Sequence, residues 1–160
     1  MDGSGQHLAA STGRFSPGVA LALRDAGWRP GRRAYVESWI EQFEQRGCPA
    51  TDAAVGFLVE FGGLDVLISG KGINRAREPF DLDPVLCAGE EDRFIEWGQA
   101  IGRSLFPIGV LGSYRKCLGI DEFSEIYLIE MQVASFGRMP DAMEALVLGR
   151  MPLRLDVDPA

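Results

Sequence analysis

Histidine is all but missing from this chain: 160 residues include one, His7, and it stands in a Gly/Ser-rich leader. A catalytic triad or a Cys-His pair needs a base held beside its nucleophile, and an unanchored leader holds nothing in place. The same scarcity argues against metal sites built on imidazole. Cysteine is sparse as well. Cys48, Cys87 and Cys117 are an odd three, widely spaced among apolar residues, so they make neither a disulfide framework nor a zinc-knuckle spacing. They read as small buried thiols in a reducing compartment. No run comes near the roughly 20 apolar residues that span a bilayer. Met1 to Ser16 lacks the basic start and apolar middle of a secretion signal, which makes the expected location cytoplasmic. Lysine is rare, two against fourteen arginines, and that ratio follows codon composition as readily as binding, so it carries no functional weight. Arg32-Arg33 is too short to be a nucleic-acid patch.

What the chain has instead is a set of apolar segments, most of them closed by glycine: Phe57 to Leu64, Leu105 to Gly109, Glu125 to Ile129 and Phe136 to Pro140. At this length one domain buries roughly 70% of the surface its unfolded chain exposes, enough for a core without staples. Net charge is −7, which argues against unspecific binding to nucleic acid or to an anionic membrane. The imbalance lies late: residues 1–46 hold six arginines and five acids, whereas residues 47–160 hold ten basic and eighteen acidic side chains.

Three helices come first. Ser16-Pro17 opens one with Val19, Ala22, Leu23 and Ala26 ahead of Gly27; Val36, Trp39, Ile40 and Phe43 keep i, i+3, i+4, i+7 spacing up to Gly47; and Thr51 leads through Ala54, Phe57, Leu58 and Phe61 to Gly62. Leu64 to Ser69 alternates as a strand does, broken only by Leu67. Lys71 to Arg77 is a basic loop, and Glu78 to Asp83 reads as a second strand that Pro79 confines to an edge or a strand start. Glu90-Glu91-Asp92 opens a helix carrying Phe94, Trp97, Ile101 and Leu105, with Arg103 in its last turn, so that charges match the helix dipole at both ends. Leu105 to Leu111, Arg115 to Ile120 and Glu125 to Val133 follow as antiparallel strands, the last with Tyr127, Ile129, Met131 and Val133 on one face. A final helix runs from Pro140-Asp141 to Gly149. The order gives an α+β domain with a mainly antiparallel sheet. Met1 to Phe15 reads as a disordered leader, residues 16–152 as the domain, and residues 153–160 as a tail that adds at most a short strand.

Catalytic constellations are thin. Asp81-Leu82-Asp83-Pro84 lacks the later Gly and Glu of a calcium loop and reads as two solvated acids. Gly70-Lys71-Gly72 lacks the ending of a phosphate-binding loop and the helix that should follow it. Paired carboxylates remain open as acid-base chemistry, with Glu60, Asp65, Glu96 and Glu130 as candidates that also suit a polar face. No cofactor is expected. Trp39 and Trp97 occupy core positions of their helices, and Trp28 follows a helix-ending glycine over which it packs.

In their order along the chain, Leu23 to Trp28 with Pro30 to Arg33, Phe57 to Leu64, Asp81 to Pro84, Trp97-Gly98 through Gly102 to Phe106-Pro107-Ile108-Gly109, Leu118 to Asp121 with Glu125-Ile126-Tyr127, and Phe136-Gly137 with Ala142 to Gly149 resemble the SUKH superfamily of bacterial immunity proteins, specifically its third subfamily. Ser124 departs from the pattern, which has glycine there. The resemblance implies a strongly bent central sheet flanked by helices and, in the cytoplasm, a non-enzymatic role in neutralising a cognate toxin, nucleases and deaminases of polymorphic toxin systems among the family's partners. An acidic surface would steer toward a toxin whose own site is basic because it holds phosphate. Asp81, Asp83, Glu90, Glu91, Asp92, Glu96, Asp121 and Glu122 are the acids expected to contribute, although Glu90 to Asp92 equally suit a helix start. A scaffold module with no toxin partner and a small carboxylate hydrolase stay open as alternatives.

Overall fold

A computed structural model describes residues 13–159. His7 lies outside them, as does most of the expected leader. Five α-helices and a seven-stranded sheet make up the described chain: α1 (Pro17–Asp25), α2 (Glu37–Glu44), α3 (Asp52–Phe61), β1 (Asp65–Val66), β2 (Phe80–Asp81), a 3-10 helix (Pro84–Cys87), α4 (Glu91–Ile101), β3 (Phe106–Leu111), β4 (Lys116–Ile120), β5 (Glu125–Ile129), β6 (Val133–Arg138), α5 (Asp141–Leu148) and β7 (Leu153–Arg154). The strands follow one another in chain order, each antiparallel to the next, so the sheet is an uninterrupted meander. It is curled, and the α+β expectation holds. Register slips twice, with Ile108 of β3 unpaired against β4 and Phe136 of β6 unpaired against β5, and each extra residue adds local bend.

Every residue of β3 is buried, and β4 and β5 are buried after their first residue. Side chains alternate between the faces of a strand, so both faces of this central part are covered. Phe43 of α2 meets Phe106 edge-on at 5.6 Å. Phe94 of α4 lies so close to Gly119 that an added Cβ would stand 2.8 Å from the ring; only a residue without a side chain lets the helix settle there. The Thr51 hydroxyl caps α3 by accepting the Ala54 N–H at 3.1 Å, and Gly102, at φ 69°, ends α4 in the left-handed conformation that glycine adopts without strain.

Three expectations are corrected. Phe15, placed in the leader, is a core residue at 2% exposure, edge-on to Trp28 and Phe61 at 5.7 and 6.1 Å. Glu125 to Val133 is not one strand. The chain turns at Glu130 to Gln132, leaving Met131 85% exposed, and returns as β6. Alternation persists across this turn because neither Gly nor Asn marks it, and the Glu130 carbonyl is pinned from outside by the Trp97 indole N–H at 3.0 Å. Leu105 and Arg103 lie beyond the end of α4, so only its N-terminal acids complement the dipole. The short strand allowed for the tail does form: residues 153–154 pair with Ala134 and Ser135 as the edge strand β7.

Candidate protein-binding face

The first two strands carry the most open chemistry. In β1, Val66 turns into the core, whereas Asp65 and the following Leu67 turn out, Leu67 to 79% exposure. Register sets Asp65 directly opposite Asp81 on β2, a like-charge pair that destabilises a sheet. Asp83, two residues on, caps the 3-10 helix by accepting the Val85 N–H at 3.0 Å. Partial burial, Asp65 and Asp83 together push the Asp81 carboxyl above the ordinary range, with Arg115 acting the other way. Asp65, Leu67, Asp81, Leu86 and Arg115 line a cleft of about 230 Å³. A second cleft of about 220 Å³ opens on the other side of Leu67, between α1 and β1, where Leu21 and Asp25 join Asp65 and Ile68. Leu67 is therefore a bare apolar ridge between two clefts, with Asp25, Asp65 and Asp81 on their walls beside Arg77 and Arg115. Exposed leucines gathered this way are what a partner surface offers.

The remaining expected acids are dispersed. Glu90 and Glu91 are engaged at the head of α4: Glu90 pairs with Arg93 at 3.4 Å, and Glu91 accepts the Gly89 N–H at 2.9 Å and an Arg46 bond at 3.1 Å. Burial works to raise Glu91, but those donors prevail and its pKa falls. Asp92 and Glu96 are exposed on the same helix. Glu122 accepts the Ser104 N–H at 2.9 Å, tying the β4–β5 hairpin to the segment after α4. Asp121 has no exposed surface, so it offers nothing to a partner. Its carboxylate accepts the Phe123 and Glu125 N–H groups and the Tyr127 hydroxyl at 2.8, 3.0 and 2.8 Å, with Arg103 at 3.2 Å as its counter-charge. Burial and this acceptor hold the Tyr127 phenol well above its usual pKa.

Asp65 and Leu67 belong to this face, yet the expected set omits both. The signal for Leu67 was present: it is the one residue that breaks the alternation of Leu64 to Ser69, hence an apolar side chain on the solvent side.

The other candidates serve structure. Glu60 accepts Arg14 at 2.6 Å and the Trp28 indole at 3.0 Å, while Arg32 donates to the carbonyls of Glu60 and Gly62, both at 2.8 Å, clamping the loop before α2 to the end of α3. Trp28 packs over the end of α1 and stacks on Phe61. Glu130 pairs with Lys116 at 3.5 Å. The basic loop is anchored to the end of α5: Ile73 and Asn74 N–H groups bond the carbonyls of Leu148 and Gly149, and Arg77 donates to that of Val147 at 2.9 Å. Arg75 pairs with Glu78. Among the described residues no group of three or more His, Cys, Asp or Glu is placed to hold a metal ion, and no helix is long and apolar enough to cross a membrane.

Comparison with known proteins agrees with the ordered motifs rather than with any one of them. No curated protein and no solved structure matches the chain. The model of one family, described as SUKH-3 immunity protein, matches residues 15–149, from the buried Phe15 to the glycine that closes α5. This chain belongs to the SUKH-3 immunity protein family.

Proposed function

We propose that this protein binds a cognate toxin and neutralises it by occlusion, without turnover, in the bacterial cytoplasm, as part of a polymorphic toxin system. The observation that carries the reading is the match to an immunity family over nearly the whole ordered chain. The face around Leu67 supports it, since it joins exposed apolar area to acids whose mutual repulsion a basic partner would relieve. A toxin that grips phosphate, such as a nuclease or a nucleic-acid deaminase, has the complementary charge. Asp81 and Asp83 belong to this contact; Asp92, Glu96 and the engaged Glu90, Glu91 and Glu122 enter only as the outer rim.

Asp65 and Asp81 also favour a second reading, because two converging acids, one with a raised pKa, are the outline of a carboxylate hydrolase. The size of the cleft weighs against it: about 230 Å³ is below the roughly 300–1,000 Å³ of small-molecule sites. The deciding experiment co-expresses the chain with the product of the neighbouring reading frame, if that product ends in a toxin domain. Restored growth, with Leu67→Asp failing to restore it, supports occlusion. Persistent toxicity with two well-folded partners refutes it, and restored growth that tracks turnover of a small molecule and is abolished by Asp81→Asn establishes the hydrolase.

A further inference from the structure

Cys87 ends the 3-10 helix and Cys117 lies in β4, both of them buried free thiols. The Cys87 Sγ is also 3.0 Å from the carbonyl oxygen of Gly109 in β3, the residue before Val110, which is the register partner of Cys117. Two separate elements thus bring the two cysteines to neighbouring positions against β3. Cys48 is elsewhere, against the Glu91 carbonyl, its thiol pushed up to about 11 by burial and by Glu91 and Asp92.

We propose that Cys87 and Cys117 form an oxidisable dithiol, a modification site that closes to a disulfide under peroxide and pins the 3-10 helix to the sheet. Cys117 reacts first: it keeps 7% exposure where Cys87 has none, and hydrogen bonding within the pair raises Cys87 and lowers Cys117. Its thiolate attacks one peroxide oxygen, the O–O bond breaks, and hydroxide leaves, giving a sulfenic acid. The Cys87 sulfur then attacks that sulfur and expels the oxygen as water, so two thiols and one peroxide become one disulfide and two waters. The consequence reaches the surface, since the pinned segment carries Asp83 as its cap and Leu86 on the wall of the cleft.

The test treats the full-length protein with hydrogen peroxide, then denatures and alkylates it without reductant and maps its peptides by mass spectrometry. Free thiols should fall from three to one, a peptide pair joined through Cys87 and Cys117 should appear two hydrogens lighter than its parts, and dithiothreitol should restore all three. Cys48→Ala should lose both of its thiols, and Cys117→Ala should keep both; if Cys117→Ala does not accumulate, the map of the unaltered chain decides. Three thiols surviving peroxide, a bridge through Cys48, or sulfinic acid at Cys117 with Cys87 still free would overturn the proposal.

Discussion

Two aspartates show how a single acid can serve structure or surface. Asp121 is a buried carboxylate satisfied by two backbone N–H groups, one hydroxyl and one guanidinium. Asp121→Ala leaves Tyr127 without its acceptor and Arg103 without its counter-charge and should cost about 3 kcal/mol in urea unfolding, with Asp121→Asn losing less because its amide oxygen still serves the turn. Asp81 behaves in the opposite way. Its raised pKa means the folded protein favours the protonated form, so as pH climbs from the ordinary carboxylate range through the raised value, stability falls, then levels off once both states are ionised. Asp81→Asn should therefore be more stable than the parent at pH 7, with the difference vanishing in acid, as thermal melts across pH will read. Ser124 sits at φ 66°, a left-handed conformation that strains any side chain. Ser124→Gly should raise stability by about 0.5–1 kcal/mol, a shift of a few degrees in Tm.

At the scale of elements, helices were the legible part of the sequence because period 3.6, caps and glycine stops agree with one another there. Ser16-Pro17, Thr51 and Gly149 mark ends that the structure keeps. Strands were legible as apolar runs but not in their extent. Residues 64–69 and 78–83 each supply only two paired residues, since Pro79 and the anchored basic loop end the ladder. The β5–β6 turn escaped because its signal is tertiary, a tryptophan on α4 reaching a carbonyl. The close approach of α4 to β4 was likewise invisible: Gly119 looks like any strand glycine until Phe94 is placed over it. Gly119→Ala should lower stability by about 1–3 kcal/mol by forcing that ring aside, and trimming the ring as well, Phe94→Leu, should recover part of the loss in a double-mutant cycle.

For the whole molecule, a net charge of −7 is a statement about encounter more than about fold. The acids of α4 and of the hairpin are largely committed to helix start, ion pairs and turn, and this could not be read from composition because commitment depends on which donors fold nearby. What the sequence did convey is the family pattern and an excess of acid late in the chain; what it withheld is that Asp65 and Leu67, not the α4 acids, stand beside Asp81. The central claim is that this surface captures and blocks a basic partner. Its most direct measurement is calorimetric titration of the purified chain with the toxin domain against which it restores growth, repeated at rising salt and with Leu67→Asp. A one-to-one complex that weakens with salt and is lost in the fully folded variant is the predicted result; no binding by the parent chain, or binding that ignores both salt and Leu67, would contradict it.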